Sequence, residues 1–248
     1  MRNLRQILLG FVSTMLCATA FASGPSVLVL GADGDNTITS GLMGTGLFSS
    51  VNYYNTASST PMIGDLSGYS AVLAFTNYPP ANPSGLGDIL KQYVDNGGGL
   101  VINTYAFSDP WSITGGITNS GYAPLVNVGS NGYVSGLLVQ TAPSAIFTGV
   151  NLGTLTYFNN SNFSHPTLDA GATLLADDGY GINMIAINAS GNIIANNTFP
   201  NLDPNNGDYY RLTANELLAV GAVPEPETYA MLLIGLSAIG FAAKRRKA

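Results

Sequence analysis

The side chains best suited to nucleophilic catalysis are few, because the chain contains one histidine, His165, and one cysteine, Cys17. Cys17 lies in an apolar N-terminal segment, so the rest of the chain has no thiolate nucleophile and no disulfide. His165 precedes Pro166 in a loop-like stretch, and no Gly-x-Ser-x-Gly sequence supplies a serine partner. We therefore expect His165 to be an ordinary packed or surface residue of a loop. The alternative is a hydrolase of glycans or peptides in which His165 or carboxylates act as the catalysts.

Two acidic stretches, 33–36 and 203–208, have the composition of calcium loops. An EF-hand needs a glutamate at its twelfth position, where these stretches have Gly44 and Ala214. Ordinary Asx turns explain both stretches. The glycines of 41–46 lack the spacing of a dinucleotide fingerprint. The sequence thus predicts no metal and no cofactor.

Aromatic and amide side chains are concentrated after the apolar segment 100–102, and they form the candidate ligand face. Rings that stack and amides that form hydrogen bonds would suit a sugar there, while the alternative is that the rings only pack a long loop against the protein. The residues are Asn103, Tyr105, Phe107, Trp111 and Tyr122.

The elements that must position this face alternate between strands and helices in the first half of the chain. Continuous apolar runs predict strands buried on both faces. A helix over 85–96, with Ser84 as its N-cap, shows an apolar face and ends at three glycines. This order predicts an α/β fold, a three-layer sandwich around a parallel sheet, and ligands bind at the carboxyl edge of such sheets. The predicted strands are 27–30, 50–54, 71–75, 100–102, 136–140, 172–176, 184–188 and 192–195, and the other predicted helices are 36–48 and 208–220, with a loop over 107–135 and a β-rich second half.

The two ends of the chain have the composition of targeting segments. Arg2 and Arg5 precede an apolar stretch and a small-x-small site at 20–22, which predicts a signal peptide over 1–22, read by the secretion machinery and signal peptidase. At the other end, prolines and glutamates precede an apolar segment, 229–243, that is all-round apolar and predicts a membrane helix. Four cations follow as a membrane stop on the cytoplasmic side: Lys244, Arg245, Arg246 and Lys247.

The exported body, 23–222, carries two cations, Lys91 and Arg211, against twelve acidic residues, a formal charge of −10. Such a surface repels phosphate backbones, so nucleic-acid binding is excluded as a function. Its many Asn, Ser, Thr and Gly residues indicate a neutral polar surface, which suits an extracellular matrix.

The C-terminal segment 223–248 resembles the PEP-CTERM sorting signal of Gram-negative bacteria, a tail also known as an ice-binding protein C-terminal domain. The resemblance implies recognition by an exosortase-like membrane protease and release from an inner-membrane-anchored intermediate to the cell surface or exopolysaccharide matrix of a biofilm. Exopolysaccharide is then a candidate partner, and an uncleaved single-pass membrane protein is the alternative. Processing is expected at Val223, Pro224, Glu225 and Pro226.

The body resembles a class I glutamine amidotransferase-like (flavodoxin-like) domain, including the trehalose-utilisation type. The resemblance rests on the strand before Gly31, on the segment 66–70 before the next strand, and on the helix that ends in Asp95-Asn96-Gly97-Gly98-Gly99. In catalytic members a cysteine follows the strand equivalent to 100–103 and a histidine follows much later. Here those places read 103–106 and 197–201 and contain neither residue. We therefore expect that the protein is not an enzyme and that its exported body has a structural or ligand-binding role.

Overall fold

The computed structural model describes residues 24–34, 36–155, 162–200 and 208–221. The predicted signal peptide and the predicted membrane helix, 229–243, lie outside these residues. None of the helices that are described has both the length and the apolar composition needed to cross a bilayer.

Strands and helices alternate through the first half of the chain, and mostly strands follow until a closing helix. The helices are α1 (Thr37–Gly44), α2 (Pro83–Asp95) and α3 (Tyr209–Gly221), and the strands are β1 (Ser26–Ala32), β2 (Ser50–Asn55), β3 (Ala71–Thr76), β4 (Gly99–Asn103), β5 (Leu125–Val126), β6 (Asn131–Tyr133), β7 (Val139–Gln140), β8 (Asn162–Ser164), β9 (Thr167–Leu168), β10 (Thr173–Asp177), β11 (Asn183–Ile187) and β12 (Ile193–Asn196).

Eight strands form one mixed sheet, in the order β2-β1-β3-β4-β12-β11-β10-β7. The five strands from β2 to β12 are mutually parallel, and the three that follow are antiparallel to their neighbours. The predicted parallel sheet is therefore correct for one side of the domain, and the β-rich second half forms the antiparallel side. Two small ladders, β5 with β9 and β6 with β8, stand apart from this sheet.

The core lies in two layers, one on each face of the sheet. In β1, Val27 and Val29 point into one layer, and Leu28 and Leu30 into the other, because successive side chains of a strand alternate. Helices α1 and α3 cover the first layer, and α2 covers the second. This arrangement gives a three-layer α/β architecture.

Two sequence-based predictions were wrong: the residue that caps α2 and the length of the strand predicted over 136–140. The side chain of Asn82, rather than Ser84, caps α2: its Oδ1 accepts a hydrogen bond from the backbone N–H of Gly85 at 3.0 Å. Pro83 then occupies the first helical position, where its missing N–H costs nothing. The strand predicted over 136–140 is reduced to β7, because Gly136 has a φ of 80°, which takes the chain out of the extended conformation.

Candidate functional site

The carboxyl ends of the central parallel strands are closed by a buried network of neutral polar groups. Asn103, at the end of β4, is fully buried, and its Nδ2 donates to the carbonyl of Thr198 and to the hydroxyl of Tyr209, both at 3.3 Å. The Thr198 hydroxyl donates to Oδ1 of Asn196 at 2.7 Å. These contacts join β4, β12 and α3 at the carboxyl ends of the strands.

The same network ends at a buried carboxyl group on α3. Oε1 of Glu216 accepts a hydrogen bond from Nδ2 of Asn196 at 2.8 Å, and its Oε2 has no hydrogen-bond partner among the described residues. Burial raises the pKa of Glu216 to about 8, although the bond from Asn196 opposes that rise. The group is therefore largely protonated and neutral at pH 7.

An aromatic cluster centred on Tyr105 lies just beyond this network. The Tyr105 ring stacks on Phe163, with centroids 5.5 Å apart and planes 18° from parallel. It also contacts the rings of Phe199 at 5.7 Å and Trp111 at 5.6 Å. Its backbone N–H donates to the carbonyl of Thr76 at 2.7 Å, which fixes the start of the segment to β3. Burial raises the pKa of Tyr105, so the phenol stays neutral at physiological pH.

A pocket of about 240 Å³ opens beside this cluster, with Tyr105 and Trp111 in its wall. Its other lining residues are Asn77, Ser108 and Asn131. The Ser108 hydroxyl donates to Oδ1 of Asn131 at 3.3 Å, and Nδ2 of Asn77 donates to a carboxylate oxygen of Asp33 at 3.3 Å. The Ser108 hydroxyl is also hydrogen-bonded to the Ser164 hydroxyl. None of these five lining side chains is charged. We call this the edge pocket.

The predicted ligand face is divided by the fold. Tyr105 and Trp111 line the edge pocket, and Asn103 lies in the buried network rather than in the pocket wall. Phe107 is buried in the opposite core layer, where it lines a separate cavity of about 330 Å³ with Ile102 and Ile113.

Tyr122 lies elsewhere, on the outer surface of α2. Its hydroxyl donates to Asp95 at 2.6 Å, and the Lys91 ammonium lies 4.7 Å from the centre of its ring.

Two lining residues of the edge pocket, Asn77 and Asn131, were not predicted from the sequence. Asn77 could have been found, because it directly follows β3 and ligands bind at the carboxyl ends of such strands. Asn131 could not have been found in this way, because it reaches the pocket through the pairing of β6 with the distant β8.

His165 follows β8 and is held mainly by its backbone. Its N–H donates to the carbonyl of Ser130 at 2.7 Å, and its ring packs against Gly132, where an added Cβ would lie 2.6 Å from the ring. Its Nε2 is buried and has no hydrogen-bond partner among the described residues.

The acidic stretches form no metal site within the described residues. No group of three or more His, Cys, Asp or Glu side chains there could hold a metal ion. Asp33 is buried beside Asn77, and Asp208 accepts a hydrogen bond from the backbone N–H of Asn151 at 2.7 Å. Residues 35 and 203–207 lie outside the described part of the chain.

Comparison with known proteins identifies the C-terminal segment. Residues 222–247 match the PEP-CTERM protein-sorting motif, which confirms the resemblance drawn from the prolines, the apolar segment and the cations. The motif implies export, membrane anchoring through this segment and processing by an exosortase, a membrane protein. No curated protein matches the chain.

Two solved structures show the fold. A putative ThuA-like protein from Bacteroides uniformis is 14% identical, with a TM-score of 0.56, and the match covers 83% of this chain and 95% of that one. A putative GMP synthase protein from Thermoplasma acidophilum is 12% identical, with a TM-score of 0.54, and the match covers 80% of this chain and 95% of that one. The class I glutamine amidotransferase-like fold predicted from the sequence is confirmed. At such identities the likeness shows the fold alone.

Proposed function

We propose that this protein is a non-catalytic, ligand-binding protein that an exosortase-like protease cleaves near Pro224–Pro226 and delivers to the cell surface or extracellular matrix of a Gram-negative bacterium. The sorting motif at 222–247 supports the route. The observation that carries the binding role is the edge pocket, an aromatic, uncharged cavity at the sheet edge where open α/β folds bind ligands.

The side chains at the expected catalytic positions support the absence of catalysis. β4 ends at Asn103, the turn that follows it begins with Thr104, and the segment after β12 begins with Asn197. Thr104 is buried, and its hydroxyl has no hydrogen-bond partner among the described residues, so no base there accepts its proton. The only cysteine of the chain lies in the predicted signal peptide, and the only histidine is His165.

The route can be tested by comparing the full-length chain with one that lacks 223–248, each produced in an exosortase-bearing host. We expect the full-length chain on the cell surface or in the matrix, with a C-terminus near Pro224–Pro226 by mass spectrometry. The truncated chain should not be delivered in this way. Equal delivery of both chains would refute the sorting proposal. A mature protein that still contains Arg245-Arg246 and ends in Ala248 would favour the uncleaved membrane anchor.

The binding role can be tested in the same host by replacing Trp111 with alanine. We expect normal export and cleavage but a lower share of the protein retained in the extracted matrix.

A hydrolase would instead be indicated by turnover of matrix glycans or peptides by the purified protein. Loss of that turnover in His165→Ala would assign it to the histidine, and its persistence would exclude the histidine.

A further inference from the structure

We propose that the edge pocket binds a neutral sugar unit of a polysaccharide, an inference that rests on the ligand-binding role proposed above. Three properties of the pocket carry it: a rigid aromatic wall, a set of neutral hydrogen-bonding groups, and the absence from its described lining residues of any cation that could bind an anionic ligand.

The aromatic wall is held in place before any ligand arrives. Tyr105 is fixed from the protein side by the rings of Phe163 and Phe199, and its backbone is tied to β3. Trp111 is half-buried, and its ring lies at 49° to that of Tyr105. Aromatic rings bury a large apolar area at a small cost in side-chain entropy, and the C–H face of a pyranose is an apolar surface that fits such a ring. A preorganised platform of this kind suits a ligand that offers one apolar face.

The remaining wall suits a ligand rich in hydroxyl groups. The amides of Asn77 and Asn131 each carry two N–H donors and one carbonyl acceptor, and the Ser108 hydroxyl both donates and accepts. Sugar hydroxyls also donate and accept, so they can pair with these groups in either direction. The contacts from Asn77 to Asp33 and from Ser108 to Ser164 orient the wall. This set of groups therefore distinguishes a sugar from a purely apolar ligand.

Charge excludes the acidic sugars. Both cations of the exported body are engaged away from the pocket: Lys91 forms an ion pair with Asp95 at 2.6 Å, and Nε of Arg211 donates to Asn215 at 3.2 Å. The charge that contacts a lining residue directly is the carboxylate of Asp33, which accepts a hydrogen bond from Asn77. Uronate and sulfate groups would meet a wall whose described residues carry no positive charge, in a body of formal charge −10.

The size of the pocket indicates how much of the polymer enters it. At about 240 Å³ the edge pocket lies below the roughly 300–1,000 Å³ of sites that enclose drug-sized ligands. It therefore accommodates a small unit such as one sugar ring. One such contact gives weak affinity, and avidity would arise only where several copies of the site are linked, as on one membrane surface.

The single tryptophan of the chain makes the test direct, because Trp111 is a fluorophore inside the proposed site. The full-length chain would be studied in a detergent without a sugar head group, since a glycosidic detergent would compete for the pocket. The probes are neutral polymers of glucose, mannose and galactose with α and β linkages, and alginate as the anionic polymer. We expect a saturable change in Trp111 emission with at least one neutral polymer and none with alginate.

Variants would place the binding in the pocket by affinity electrophoresis in gels that contain the neutral polymer. We expect Trp111→Ala and Asn131→Asp to weaken retention by about tenfold, equivalent to about 1.4 kcal/mol. Asn131→Asp keeps the acceptor for Ser108 but removes the amide donors and adds a negative charge. Tyr180→Ala, which removes a surface tyrosine that is 82% exposed and outside the pocket, should leave retention unchanged. Circular dichroism would confirm that each variant is folded.

The outcomes separate this inference from the proposed function. Failure of every neutral polymer to change Trp111 emission would overturn the sugar assignment, as would tighter binding of alginate than of any neutral polymer. If matrix retention in the host still depended on Trp111, the ligand-binding role would stand with another class of ligand. If neutral polymers bound but export did not depend on 223–248, the sugar site would stand and the sorting proposal would fail.

Discussion

The buried carboxyl group of Glu216 makes the stability of the domain depend on pH in a direction that can be worked out. Its pKa is raised from 4.5 to about 8 by burial, so between these values the folded state holds a proton that the unfolded state has released. Raising the pH therefore lowers the free energy of unfolding. At about 1.4 kcal/mol for each pH unit, the loss approaches about 5 kcal/mol above pH 8. That is a large part of the roughly 5–15 kcal/mol that stabilises a typical domain.

The substitution Glu216→Gln removes this titration while keeping an acceptor for Nδ2 of Asn196. At pH 5 the variant should be less stable than the wild type by about 1–2 kcal/mol, because its amide brings donors into a buried site. At pH 9 it should be the more stable protein by about 2–3 kcal/mol, because the wild type loses about 4 kcal/mol between pH 5 and pH 9. Urea unfolding at pH 5, 7 and 9, followed by Trp111 fluorescence and by circular dichroism, measures both. The control is Asp95→Asn: the neighbouring ammonium of Lys91 holds the pKa of Asp95 low, so that carboxylate does not titrate in this range. A difference between Glu216→Gln and wild type that is the same at pH 5 and pH 9 would refute the reasoning.

Two further predictions concern α2 and the segment packed on it. Asn82→Ala should lower the free energy of unfolding by about 1 kcal/mol through loss of the N-cap, and Ser84→Ala by clearly less; equal losses would contradict the assignment of the cap. Gly87→Ala should lower the free energy of unfolding by about 3 kcal/mol, because its Cβ would lie 1.7 Å from the carbonyl oxygen of Thr114. Gly44→Ala should be neutral or stabilising in chemical denaturation, because beyond its chain neighbours and its own helix backbone no atom lies within 4 Å of the added Cβ. Similar effects for the two glycines would show that α2 and the segment at Thr114 do not pack closely.

The sequence predicted the strands of the sheet well because their signal is local. The apolar runs at 27–30, 71–75 and 100–102 are buried on both faces, and each became a central parallel strand. The short ladders were missed because no local signal predicts them. β6 contains Asn131 and Gly132 and is a strand only because β8, about thirty residues further on, supplies its partner.

The candidate site was predicted only in part because the chain reverses direction within it. After Tyr105, the N–H of Ser108 donates to the Tyr105 carbonyl, and the N–H of Trp111 donates to the Ser108 carbonyl. These turns bring Trp111 back against Tyr105 and send Phe107 into the opposite core layer. The predicted ligand face therefore grouped rings that are close in sequence but that the turns separate in the structure. Tyr122 likewise lies apart from the pocket, on the surface of α2.

The buried network explains why a ligand site would lie outward from the strand ends. In amidotransferase-like enzymes the chemistry takes place at the turn after the strand equivalent to β4, where the nucleophile must be reachable. Here Asn103 at that point is bonded to Thr198 and Tyr209, so its amide is used to join β4, β12 and α3. A side chain committed to the interior cannot also bind a substrate. The segment that begins at Tyr105 instead covers this edge and presents the rings of Tyr105 and Trp111 and the hydroxyl of Ser108 to the edge pocket, which is where the proposed ligand would bind.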